Sequence, residues 1–310
     1  MKQEVFSIRL PVGETLRLMR NRFEPDGGCK KRISIVTGVH GDELEGQYVA
    51  YLLCDWLSKN QRHICATIDI YPALNPLGID AIRRSVPFYE VDLNRQFPGG
   101  KFDYLPAQLA DGIVSAIRGS EIAIDIHSSN IFLREIPQVR ISRQCSEALV
   151  PLARHLGIDF IWIHDAVTVL ESTLAHTLNS LGTKTLVVEM GVGMRVTREY
   201  GQNLFDGIMH LLYQEGFISE PKPRPQRETI SSLDGTVAYI NSPECGLFVT
   251  ELEHSQKVEK GMVVGEILDP LNGIVKSRIT APISGILFTL RAYPIVYEGS
   301  LLARIFGVKP

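Results

Sequence analysis

Cysteine is scarce in this chain, and what there is forms no pattern. Cys29, Cys54, Cys65, Cys145 and Cys245 are odd in number, widely scattered and never in a C-x-x-C pair. That spacing argues against a disulfide framework and a thiolate zinc site, and the thiols read as reduced and mostly buried. Charge of one sign is also missing. The formal net charge is −3 over 310 residues, and no basic cluster stands out beyond Lys30-Lys31-Arg32 and Arg83-Arg84. A nucleic-acid or anionic-membrane partner is therefore not expected, and a small-molecule substrate is the default. No apolar run approaches the roughly 18 residues that a membrane helix needs. The opening Met1-Lys-Gln-Glu-Val-Phe-Ser-Ile lacks the apolar core of a secretory signal. The expectation is a soluble, cytoplasmic protein. Fixed-period repeats and low-complexity tracts are absent, as are the G-x-S-x-G elbow, the Walker phosphate loop and the H-E-x-x-H helix. Gly191-Val-Gly193-Met lacks the third glycine of a dinucleotide fingerprint.

What is present is ample core material, 45% hydrophobic residues, and a regular alternation. Short β-branched runs at 33–36, 64–71, 122–126, 160–163 and 185–188 read as strands. Stretches of helical period lie near 42–58, 106–119, 145–156, 171–181 and 198–214. The alternation predicts an α/β domain with a mixed, largely parallel sheet and helices on both faces. Residues 5–9 and 16–20 are expected to add a hairpin to it. Proline at alternate positions in Pro221-Lys-Pro-Arg-Pro225 favours an extended linker. The chain therefore divides into a catalytic domain at 1–218, a Pro-rich linker at 219–228 and a small all-β barrel or sandwich at 229–310, where short β-type runs are punctuated by Gly and Pro.

Three apolar strands run out into potential ligands or bases. The first is Ile35-Val-Thr-Gly-Val-His40-Gly-Asp-Glu43-Leu-Glu-Gly46, with His40 and Glu43 spaced to meet on one face of a forming helical turn. The others are Ile122-Ala-Ile-Asp-Ile-His127 and Thr185-Leu-Val-Val-Glu189. Ligands of open α/β sheets sit beyond the carboxyl ends of the strands, where these residues fall. His40, Glu43 and His127 supply the three nitrogen and oxygen donors of a catalytic zinc site, one ion per subunit, which leaves a position open for water. Glu189 is the candidate proton shuttle. A helix-capping or salt-bridged glutamate is the bland alternative for it. In the polar stretch Val91-Asp92-Leu-Asn94-Arg95, Asn94 and Arg95 offer donors for a substrate carboxylate, and Asp92 is placed to orient a ligand imidazole. A structural salt bridge within the loop competes for Asp92 and Arg95. Arg84, favoured over Arg83, could face a developing oxyanion. Loop 129–143 is expected to line the far end of the pocket, where Arg134 and Arg140 could meet a second carboxylate. The remaining histidines, His63, His155, His164, His176, His210 and His254, have no partners at ligand spacing and are set aside.

The ordered set His40-Gly-Asp-Glu43, Asp92-Leu-Asn-Arg95, Asp125-Ile-His127 and Val188-Glu189-Met-Gly191 resembles the succinylglutamate desuccinylase/aspartoacylase family, relatives of the zinc carboxypeptidases. The resemblance spans about residues 33–213 and, more loosely, the β tail. It implies a zinc carboxypeptidase-like fold and a zinc-dependent hydrolase that cleaves the amide of an N-acyl amino acid. It places zinc on His40, Glu43 and His127, the general base on Glu189, and substrate handling on Asn94, Arg95 and Arg84. It also implies a β domain reaching over the active site, with Tyr297 as a possible counterpart of a substrate-touching tyrosine. A carboxypeptidase-like enzyme acting on small peptides shares the same metal chemistry and stays open beside it. A zinc-binding protein without catalysis is disfavoured by the presence of base and substrate donors. Thr280-Ala-Pro-Ile-Ser-Gly285-Ile-Leu also looks like a biotinyl/lipoyl barrel, which raises a carrier or docking module. The hairpin-tip lysine it needs is missing, because Asp269-Pro-Leu-Asn-Gly273 occupies that turn and Lys276 lies beyond it.

Overall fold

The computed structural model describes residues 1–164, 171–220 and 229–308. The proline run of the expected linker, 221–225, lies outside the described residues. Up to residue 220 the chain runs through β1 (Lys2–Arg9), β2 (Thr15–Phe23), β3 (Arg32–Thr37), α1 (Glu45–Lys59), β4 (Thr67–Tyr71), α2 (Pro76–Asp80) and α3 (Leu105–Ile117). It continues with β5 (Ile122–Ser128), β6 (Leu133–Ser142), α4 (Ser146–Arg154), β7 (Phe160–His164), α5 (Leu174–Ser180), β8 (Lys184–Gly191) and α6 (Arg198–Gln214).

The sheet is mixed. Its centre, β4-β3-β5-β8, is parallel, while β2 joins β4 and β6 joins β8 in antiparallel fashion. Period-two alternation sorts the side chains between two cores. Ile33 and Ile35 of β3 pack with Val49, Leu53 and Leu57 of α1 and with Leu204 and Ile208 of α6. Val36 faces the other way, against Leu109 and Ile113 of α3 and Leu174 and Leu178 of α5. The central strands are covered on both faces, which is why they read as continuous apolar runs. The N-terminal hairpin forms as expected and extends the sheet through β2. There Arg20, Arg22 and Arg32 close on the fully buried Asp69 at 3.1, 2.7 and 3.7 Å.

Residues 129–143, expected to be a loop, are mostly the long strand β6, so that expectation is corrected. Pro137 and the charged Arg134, Glu135 and Arg140 hide the strand in the sequence. The structure accommodates them with a register shift against β8 between Glu135 and Gln138. Helix α1 begins at Glu45, so residues 42–44 belong to the turn before it.

Beyond residue 228 the structure is all β, as expected: β9 (Ile230–Ser231), β10 (Gly235–Asn241), β11 (Gly246–Val249), β12 (Lys257–Val258), β13 (Val263–Asp269), β14 (Ile274–Thr280), β15 (Gly285–Arg291), β16 (Ile295–Val296) and β17 (Leu301–Val308). Strands β14-β13-β11-β16 form one antiparallel sheet. The facing layer, β15, β17 and β10, is hydrogen-bonded to β6 through β15 and so continues the main sheet. Phe248, Ile267 and Ile279 meet Leu287, Leu302 and Ile305 in the core between the layers. Ile136, Phe160, Phe288 and Phe306 form a further cluster that binds this part to β6 and β7. No helix among the described residues is long and apolar enough to cross a membrane.

Candidate metal centre and active-site cavity

After β3 the backbone turns sharply so that His40 and Glu43 face the same point, with the Glu43 amide 3.4 Å from the His40 carbonyl. Gly41 permits the turn. A Cβ there would lie 1.9 Å from the Gly78 carbonyl carbon, so no side chain fits. His127, at the end of the neighbouring β5, completes the group. One ligand atom from each of His40, Glu43 and His127 lies within 4.8 Å of the others, and all three residues are buried.

The geometry is that of an inner and an outer layer. The His40 and His127 Nδ1 atoms point inward, 2.7 Å from Glu43 Oε1 and 2.9 Å from Glu43 Oε2. The outer nitrogens face carboxylates: His40 Nε2 lies 3.0 Å from Asp92 Oδ1, and His127 Nε2 lies 3.1 Å from Asp125 Oδ2. Asp92 is itself fixed, accepting from the Asn94 amide at 2.8 Å. Outer carboxylates of this kind set the tautomer that presents a lone pair inward.

Burial opposes ionisation of Glu43, but the two imidazoles beside it outweigh that and hold its carboxyl well below the usual carboxylate range. Burial likewise opposes charging of His127, yet Asp125 and Glu43 raise it well above an ordinary histidine. His40 Nδ1 is buried and, among the described residues, has no hydrogen-bond partner despite its closeness to Glu43. An inward, unpartnered imidazole nitrogen beside a carboxylate and a second imidazole fits a zinc ion, which takes nitrogen and oxygen donors of this kind.

A cavity of about 640 Å³ opens over the cluster, lined also by Arg84, Asn94, Arg95, Arg140 and Glu189. Glu189 lies on β8 in register with His127 on β5. Burial pushes its carboxyl up to about 7, with Arg140 and His127 pulling the other way. Arg84 donates to Glu43 Oε1 at 2.8 Å and to Asp92 Oδ2 at 3.2 Å, while Arg83 does not line the cavity. Asn94 is buried and spends its Oδ1 on the Leu174 amide at 2.9 Å. Arg95 is exposed on the cavity wall and donates to the Asn94 carbonyl at 2.8 Å.

Other expectations separate from the site. Tyr297 is 71% exposed and is not among the cavity-lining residues. Arg134 lines a different cavity with Tyr200 and His254, because strand alternation turns it away from Glu135, and the register shift between Glu135 and Gln138 brings Arg140 onto the face of Glu135. Arg140 does line the active cavity, but its guanidinium is engaged by Glu135 at 2.6 Å and Glu189 at 3.2 Å.

The sequence reading missed Asp125, Glu135 and Arg304. Asp125 carries a signal, since Asp-x-His on a strand puts both side chains on one face. Glu135 and Arg304 carry none, because their meeting depends on the pairing of β6, β15 and β17. His164 and His176, set aside from the sequence, also line the cavity.

Fold and site together define the class: a mixed α/β protein with a buried His/Glu/His cluster at the carboxyl ends of its strands. The family model described as succinylglutamate desuccinylase/aspartoacylase catalytic domain matches residues 29–213, and the chain belongs to that family. A curated relative, the N-alpha-acetyl-L-2,4-diaminobutyric acid deacetylase of Halomonas elongata, is 23% identical over 278 residues, covering 87% of this chain and 80% of the relative. The crystal structure of a succinylglutamate desuccinylase/aspartoacylase from Rhodobacter sphaeroides superposes with a TM-score of 0.82 at 20% identity, covering 99% of this chain and 96% of that one. The product-bound ectoine utilization protein EutE (DoeB) from Ruegeria pomeroyi does so with a TM-score of 0.82 at 17% identity, covering 99% and 94%.

Proposed function

We propose that this protein is a zinc-dependent hydrolase that cleaves the amide bond of an N-acyl amino acid, with residues 1–218 as the catalytic unit and 229–310 flanking its cavity. The observation that carries this reading is the convergence of two imidazole nitrogens and the Glu43 carboxylate beneath a cavity that also holds Glu189. Family membership and the deacetylase named among the relatives support it.

In this reading His40, Glu43 and His127 hold zinc, which supplies a Lewis acid for the scissile carbonyl and lowers the pKa of water. The chain's own groups do the rest. Asp92 and Asp125 hold the two imidazoles in the tautomer that faces inward. Glu189, unprotonated, takes the proton of the attacking water and returns it to the departing amine. Arg84 stands beside Glu43 to meet charge developing on the carbonyl oxygen. Arg95 takes a substrate carboxylate, since its guanidinium has a backbone carbonyl as its one described partner. Asn94 shapes that wall.

The test is metal analysis of the purified protein together with turnover of N-acetyl amino acids, N-succinyl amino acids and small peptides. Stoichiometric zinc and hydrolysis of an N-acyl amino acid are expected. Glu189→Gln should keep the zinc and lose kcat by roughly 10²- to 10⁴-fold. Near-normal turnover by that variant at full zinc content removes Glu189 from the reaction, and cleavage of peptides alone moves the protein to the carboxypeptidase-like alternative.

A further inference from the structure

Glu189 does not stand alone in the cavity wall. Arg140 Nη1 donates to Glu189 Oε1 at 3.2 Å, and its other end, Nη2, donates to Glu135 Oε2 at 2.6 Å. The second oxygen of Glu135 is taken from beyond the catalytic unit, by Arg304 Nη1 at 2.6 Å and Thr289 Oγ1 at 3.1 Å. Glu135 and Thr289 are cross-strand partners in the β6–β15 pairing. Both are buried, and both guanidinium groups lie over the Trp162 ring, at 5.3 Å for Arg140 and 4.7 Å for Arg304.

We propose that Arg304 and Glu135 are positioning residues that act on Glu189 through Arg140, so that the C-terminal β unit sets where the Glu189 carboxyl stands in the cavity wall. The inference rests on the function proposed above. Two carboxylates and two guanidinium groups alternate along the line Arg304, Glu135, Arg140, Glu189, and each inner group is shared by its two neighbours. With Arg304 drawing on one oxygen of Glu135, Arg140 is left free to hold Glu189. Without Arg304, Glu135 competes for the same guanidinium, and ground-state pairing in a low-dielectric wall makes that competition costly. This arrangement also reassigns Arg140. Its guanidinium is committed to two carboxylates of the chain, so it orients Glu189 instead of gripping substrate.

Loss of either end acts on Arg140 in opposite senses. Without Arg304, Glu135 draws the Arg140 guanidinium away from Glu189. Without the Glu135 carboxylate, Arg140 keeps Glu189 as its carboxylate partner in the wall and holds it more closely.

The experiment uses the zinc-loaded full-length protein and its Arg304→Gln, Arg304→Lys and Glu135→Gln variants. In Arg304→Gln kcat should fall about 10-fold with KM and zinc content held, and Arg304→Lys should return most of the way to wild type. Thr289→Val, which removes one donor from Glu135 without a change of charge, should lower kcat in the same way and by less; it serves if a charge variant does not fold. In parallel, crystal structures of the same proteins without substrate read the Arg140–Glu189 contact, 3.2 Å in the wild type. It should open in Arg304→Gln and stay closed in Arg304→Lys and Glu135→Gln. A contact unchanged in Arg304→Gln, or a loss that falls on KM or zinc content instead of kcat, overturns the proposal. If the wild-type protein hydrolyses no N-acyl amino acid, the proposed function fails, and the Arg140–Glu189 contact in the variants still decides whether the chain of charges acts on Glu189.

Discussion

At the scale of the residue, the proposed metal site involves Asp125 as well as the three residues that face inward. The Asp125 side chain is buried and lies against the outer nitrogen of His127. Replacing it with asparagine removes the charge that favours a proton on that nitrogen, and with it the tautomer that turns Nδ1 inward as a donor. Zinc affinity in Asp125→Asn should fall about 10- to 100-fold, read by competition against a chelating dye. Unchanged affinity would mean that Asp125 only fills space. The residues that point inward were legible in the sequence because each terminates an apolar run: His40 after β3, His127 at the end of β5, Glu189 in β8. Their partners were less so. Asp92 was found from its place beside Asn94 and Arg95, whereas Glu135 and Arg304 meet across 169 residues of chain and nothing local marks either one.

At the scale of the element, the turn between β3 and α1 presses on α2. Gly41 sits against the Gly78 backbone, so an alanine there must push either the His40–Glu43 turn or the 76–80 helix outward. Gly41→Ala should cost about 1–3 kcal/mol of stability. It should also weaken zinc binding by more than the stability loss alone implies, because the displaced segment carries two of the proposed ligands. Calorimetry on metal-free and zinc-loaded protein separates the two effects. The parallel core strands and the helices over them were readable because both faces of each strand are buried and the apolar pattern is unbroken. Strand β6 was not readable, since Pro137 and three charged side chains break that pattern. Its charges point into the cavity and the neighbouring cavity, where Glu135 and Arg140 pair with each other and with Arg304 and Glu189, so the cue that marks a loop in sequence marks a cavity-lining strand here. Tyr297 illustrates the reverse case: it was placed by resemblance alone, and the strand pairing of β16 with β11 leaves it on the outer surface.

At the scale of the whole molecule, the β unit shares a sheet with the catalytic unit instead of hanging from it. Strand β15 hydrogen-bonds to β6 over Thr289–Glu135, Leu290–Arg134 and Arg291–Leu133, and Phe288 and Phe306 pack on Phe160 with ring centroids 4.9 and 5.1 Å apart. A chain ending at residue 218 would uncover Phe160 and Ile136, open the Leu133–Glu135 edge of β6 to solvent, and remove Arg304 and Thr289 from Glu135. An exposed strand edge beside apolar side chains is a template for association. The truncated protein should therefore aggregate or bind a hydrophobic dye strongly, and size-exclusion chromatography with dye fluorescence reads both. A truncated chain that keeps the full protein's association state and metal content and melts like it would make the β unit a separable appendage, and the sheet continuity through β15 would then carry no energetic weight.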